Sequence, residues 1–183
     1  TNTTIIMLVD IILGLILGIV SNTIFGAQDS LVFALIWGIF CAIIPDIDLL
    51  LYSLKHNLRN NQFAHHHRDI LHKPIFFLLP GIALFFFSSE FGFILTLATL
   101  LHFVHDTFEG GWGIMWLYPF SKKYFTLVSY SPQKVFRDKK EQDSIASQYG
   151  RPDYFKIKID YKIILQIILI LVIIISILFY LYR

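Results

Sequence analysis

Residues 163–182 read IILQIILILVIIISILFYLY, twenty positions without a charge. About 20 apolar residues in a helix span the roughly 30 Å hydrocarbon core of a bilayer. Lipid offers no partner to backbone N–H and C=O groups, so a chain of this kind crosses as helices. Four more apolar runs precede this one: residues 5–24, where Asp10 is the only charge; 31–44, ended by Pro45; 75–87, with Pro74 at its start and Pro80 inside; and 91–104. The shorter three span if their polar ends are counted or the bilayer thins locally. Runs three and four form a tight hairpin over Ser88, Ser89 and Glu90. Pro80 removes one backbone hydrogen bond and is expected to kink its helix. The expected fold class is all-α, a polytopic membrane bundle of about five transmembrane helices.

Composition agrees with this reading. The chain of 183 residues is 56% hydrophobic and 15% charged, whereas soluble domains carry about 25% charge. Its single cysteine, Cys41, lies in an apolar run and reads as a small packed residue. Residues 5–24 lack the basic leader of a secretory signal and are read as a retained span. Three units are expected: residues 1–128 with four spans, a polar basic loop at 129–160 with one short helix near 138–148, and a last span at 161–183. The lysines of that loop can touch anionic headgroups.

Charge sets the expected orientation. With five spans, the N-terminus, residues 52–73 and residues 107–162 share one side. Fourteen of the 15 Lys and Arg residues fall there, leaving Arg183 opposite. The positive-inside rule puts that side in the cytoplasm and the C-terminus outside.

Ionisable residues gather at the same face. Asp10 lies early in the first run. Asp46 and Asp48, in IIPDIDLL, end the second. His67 and His72, in HHHRDILHKP, lead into the third. His102, His105 and Asp106, in LLHFVHD, close the fourth. Such groups near a membrane core are costly and point to function. His and Asp together suit divalent Zn, Mn, Fe or Mg. His102 and Asp106 are four apart and share a helix face. Asp46 and Asp48 point the same way if Pro45 makes this stretch extended. The alternative is that they cap the next helix. His67 and His72 converge if a helix begins between them. His65 and His66 read as solvated loop residues. Arg68 either reaches headgroups or holds a phosphate. Seven donors exceed one tetrahedral ion and suit two ions about 3.5–4 Å apart, an arrangement used to hydrolyse phosphate esters; the expected cofactor is one or two divalent ions.

These segments resemble the YdjM-type family of membrane-bound metal-dependent hydrolases. The resemblance rests on GIFCAIIPDIDLL, HRDILH, LLHFVHD and GIMWLYPFSKKYF, and covers residues 10–124. It supplies Pro45-Asp46-Ile47-Asp48, His67-Arg68 with His72, His102 with Asp106, and Gly113 with Pro119-Phe120. The chain departs from the family pattern where Asp10 stands in place of a first-span histidine, and at Asp69 and Leu71.

The resemblance and the residues together give an expected bacterial inner-membrane hydrolase of a phosphoester or headgroup bond. Asp10, Asp46, Asp48, His67, His72, His102 and Asp106 are the expected metal ligands. Arg68 and His105 are the expected catalytic residues. The expected partner is membrane lipid, with an amphiphilic or lipid-phosphate substrate and no nucleic acid. A divalent-metal transporter or sensor is the rival reading. Transporters place their ligands near the midplane on broken helices, whereas here they gather at one face.

Overall fold

A computed structural model describes residues 3–26, 31–54, 64–108, 113–127 and 135–149. The expected last span at 163–182 lies outside the described residues. Along the chain run α1 (Thr3–Phe25), α2 (Leu31–Ile43), a 3-10 turn (Ile44–Asp46), α3 (Ile47–Ser53), a 3-10 turn (Ala64–Asp69), α4 (Ile75–Phe85) and α5 (Ser89–Phe108). Two short antiparallel strands follow, β1 (Tyr124–Phe125) and β2 (Phe136–Arg137), then α6 (Lys139–Tyr149).

Among the described residues, three helical stretches are long and apolar enough to cross a membrane: Leu8–Phe25, Leu31–Tyr52 and Ser89–Phe108. The second corrects the expectation that Pro45 ends its run. Proline lacks the N–H for an α-helical bond, and the chain tightens into one 3-10 turn, then resumes as α3. Asp46 and Asp48 are therefore helical, not extended, and lie inside the span. α4 has 11 residues, about 16 Å of helix against a hydrocarbon core of about 30 Å. It is shorter than the expected run and continues through Pro80.

Helix contacts set the register of the bundle. Gly14 and Gly18 lie one turn apart on α1 and face Ala34 and Gly38 of α2. A Cβ on Gly18 would come 2.7 Å from the Ala34 carbonyl oxygen, and one on Gly38 would collide with the Gly14 carbonyl. Small residues of this kind let membrane helices pack backbone to backbone. Beside them Leu17, Ala34, Cys41, Ala42, Ile94 and Ala98 form an apolar core. At one end of the bundle, Phe25 packs on Phe85 and Phe93, and Trp37 on Phe91. Ser21 Oγ and Trp37 Nε1 donate to the carbonyls of Glu90 and Phe91. Both reversals of the chain, after α1 and after α4, therefore lie at this end. Asp10, Asp48 and His102 lie at the other.

The segment after α5 folds back on this second end. Leu127 N donates to the Thr107 carbonyl at 3.0 Å, closing one of the acceptors a helix C-terminus leaves open. α6 begins with a reciprocal cap: Glu141 N donates to Asp138 Oδ1 at 2.8 Å, and Asp138 N to Glu141 Oε2 at 3.0 Å. The short helix expected near 138–148 is thus present, one residue displaced at each end.

Candidate metal centre

Four donor atoms from separate parts of the chain meet at this second end. They are Asp46 Oδ1 from the 3-10 turn, His72 Nε2 from the linker before α4, and His102 Nε2 and Asp106 Oδ2 from α5. His72 Nε2 lies 3.1 Å from Asp106 Oδ2, 3.4 Å from Asp46 Oδ1 and 3.5 Å from His102 Nε2. His102 Nε2 lies 3.7 Å from both carboxylate oxygens. A tetrahedral ion with bonds of about 2.0–2.1 Å sets its donors about 3.3–3.4 Å apart. The observed separations bracket that value. Asp106 Oδ2 is buried and faces His72 Nε2. Asp46, His72 and His102 thus fit a divalent cation in spacing and chemistry, with Asp106 Oδ2 beside both imidazole Nε2 atoms.

Each imidazole is held from behind. Asp48 Oδ2 lies 2.7 Å from His72 Nδ1 and also accepts from Leu71 N at 3.2 Å. Asp10 Oδ2 lies 3.1 Å from His102 Nδ1, and its Oδ1 lies 3.3 Å from His105 Nδ1. A carboxylate on Nδ1 keeps the proton there and leaves the Nε2 lone pair for a metal. Arg68 Nη2 donates to Asp106 Oδ1 at 3.0 Å. Asp10, Asp48, His72, His102 and Asp106 are all at most 2% exposed. His72 feels opposing effects. Burial alone lowers its pKa, but hydrogen bonds to Asp106, Asp46 and Asp48 raise it well above the usual histidine range.

Several expectations change here. Asp10, expected among the metal-facing donors, lies on the far nitrogen of His102. Asp46 and Asp48 do not point the same way. Two residues apart on a helix they diverge, and the His72 ring sits between them with one nitrogen toward each. Asp46 occupies the N-cap position of α3 without a side-chain cap bond, so capping does not account for it. His67 and His72 do approach, with ring centroids 5.3 Å apart, but both precede α4. The end of the 3-10 turn and the tight turn after it, not the start of α4, bring them together. Asp48, His67 and His72 form a second donor group, their ligand atoms within 4.8 Å of one another. Arg68, expected to face a substrate, is engaged by Asp106.

His66 is not a solvated loop residue. Its Nε2 lies 2.6 Å from Asp143 Oδ1 of α6. The side chain of His65 lies outside the described residues. Asp69 accepts from Tyr124 and from Lys139. Burial first, then Asp69, raises the Tyr124 pKa far above its usual range, so the hydroxyl stays a donor. These contacts strap the turn that bears His67 and Arg68 to β1 and α6. The sequence carries no local signal for them, because the partners are 55, 70 and 77 residues apart.

Among curated proteins and among solved structures, nothing matches the chain. The YdjM inner membrane protein family matches it over residues 7–183. The match takes in all three membrane-length helices and every residue of the buried His and Asp cluster. With nearly its whole length covered, the chain belongs to the YdjM family of inner membrane proteins.

Proposed function

We propose that the protein is a metal-dependent hydrolase of the bacterial inner membrane, acting at the cytoplasmic face on a phosphoester or headgroup bond of a lipid-like substrate. The observation that carries this reading is that His72 Nε2 and His102 Nε2 lie 3.1–3.7 Å from each other and from Asp46 Oδ1 and Asp106 Oδ2. Those four residues would hold the ion. When bound, a divalent ion lowers the pKa of a water toward neutrality and polarises the oxygen under attack.

The remaining roles belong to the chain. Asp10 and Asp48 hold His102 and His72 in the tautomer that presents Nε2. Arg68 binds one oxygen of Asp106 and so orients the other toward the centre. His105, with Nδ1 on Asp10, is our candidate for delivering a proton to the leaving oxygen. The reaction adds water across the ester: its oxygen joins the phosphorus, the bond to the leaving oxygen breaks, and that oxygen takes up a proton. Asp10 lies fifteen residues before the far end of α1, about 22 Å along the helix. The centre therefore sits near one face, within reach of a headgroup whose tail stays in the bilayer. The apolar core of Leu17, Ile94 and Ala98 lies between it and the far end. A transporter would need donors along that path.

Metal content and turnover on a phosphoester lipid test the proposal. His72→Ala and Asp106→Asn should lose both, with wild-type elution and helicity retained. Full activity in Asp106→Asn would reject hydrolysis at this site.

A further inference from the structure

The stretch from Gly113 to Lys123 lies outside the membrane-length helices, yet it ends in an apolar tip. Phe120 is 94% exposed and Leu117 59%. The stem beneath them is fixed. Ile114 N and Phe125 N exchange bonds with the opposite carbonyls at 2.9 and 2.8 Å. Ile114 and Met115 are buried, and Trp116 Nε1 donates to Thr107 Oγ1 at 2.8 Å. Within the turn, Tyr118 N bonds the Met115 carbonyl and Ser121 N the Leu117 carbonyl. The tip is therefore held outward by ordered backbone.

Its surroundings indicate what covers it. Tyr118 packs edge-on against Phe76, ring centroids 5.6 Å apart, in the first turn of α4. Lys73 Nζ lies 4.6 Å from the Tyr118 ring and 5.4 Å from Phe76. Phe76, Leu79 and Ile82 continue an exposed apolar stripe along α4. The tip is thus continuous with the surface of a helix in the membrane bundle, at the end where that helix starts. Lys122 and Lys123 follow it, both exposed. Residues 110–137 contain Lys122, Lys123, Lys134 and Arg137 and no Asp or Glu. Apolar and aromatic groups below lysines are the pattern of a segment lying in the lipid interface, and anionic headgroups complement such a charge.

We propose that the turn at residues 117–120 dips into the acyl boundary of the leaflet that α4 enters, with Lys122 and Lys123 on the phosphates of anionic lipids. Phe120 and Leu117 are the inserted groups. Tyr118 and Lys73 mark the headgroup level. This assignment stands apart from the hydrolase reading and needs no metal.

The full chain, reconstituted in phosphatidylcholine–phosphatidylglycerol vesicles, provides the test. An environment-sensitive fluorophore is attached through Phe120→Cys, or through Leu117→Cys in a second variant. The wild-type chain has one cysteine, Cys41, which is fully buried and serves as the labelling blank. A label through exposed Ser147→Cys on α6 is the aqueous control. Labels at 117 and 120 should be quenched by lipids spin-labelled near the headgroup and protected from iodide, the reverse of the label at 147. Lys122→Gln with Lys123→Gln should abolish any excess of lipid quenching in anionic over pure phosphatidylcholine vesicles. Iodide quenching at both tip positions without lipid quenching would overturn the proposal. Protection from both quenchers would also overturn it, since a second protein copy would then cover the tip.

Discussion

Replacing Asp10 by Asn tests whether this carboxylate supports the centre or belongs to it. Asp10 is 1% exposed, and its oxygens lie 3.1 and 3.3 Å from Nδ1 of His102 and of His105. Asparagine keeps the size and one acceptor but loses the charge. Disturbing a group behind a ligating histidine costs about 10–100-fold in metal affinity. Loss of a donor costs more: a site worth about 10–16 kcal/mol over four donors averages about 3 kcal/mol each, beyond a hundredfold. Asp10→Asn should therefore weaken zinc binding by about one to two orders of magnitude, and His72→Ala by more. Competition against a chromophoric chelator, on protein in lipid nanodiscs, measures both. Equal losses would make Asp10 a ligand in its own right. No loss from Asp10→Asn would remove it from the centre altogether.

Three further outcomes are expected. Gly38→Val should lower thermal stability by at least about 1–3 kcal/mol, the usual cost of overpacking, because its Cβ would meet the Gly14 backbone; a melt unchanged from wild type would refute the close contact. Metal uptake must displace the proton that the carboxylates hold on His72, so apparent zinc affinity, corrected for hydrolysis of the free ion, should rise with pH until the raised pKa is passed. By the same linkage, the stabilisation from charged His72 in metal-free protein is complete below its unfolded value of about 6.5 and is lost as pH rises through the folded one; a flat affinity profile would refute this protonation. For orientation, reporter fusions at residues 88 and 137 should report opposite sides of the membrane, with 137 cytoplasmic, and the same side for both would sink the alternating arrangement.

What the sequence made legible follows from local rules. His102 and Asp106 meet on one face because a helix repeats every 3.6 residues, and α5 is a regular helix. The gathering of donors at one end follows from alternating apolar runs. The shape around Asp46 and Asp48 was not legible, because the restriction before a proline is a bias that a tightened helical turn can absorb. Nor did sequence distinguish Asp10 as orienting from Asp10 as ligating. Residue type gives a donor's chemistry and depth, while its role depends on which ring nitrogen it meets across 92 residues of chain. The pairing of His66 and Asp69 with α6 and β1 lay further out of reach, since tertiary contacts alone create it.

The glycine contact between α1 and α2 has a mechanical consequence. Where backbones touch, a helix cannot slide by a fraction of a turn without lifting out of its notch. Gly14 and Gly18 seated against Gly38 and Ala34 act as a detent, stopping axial creep of α1. Asp10 sits one turn from Gly14 on that same rod. The height beside α2 from which it reaches His102 at 3.1 Å is thus indexed by two glycines that never approach the centre.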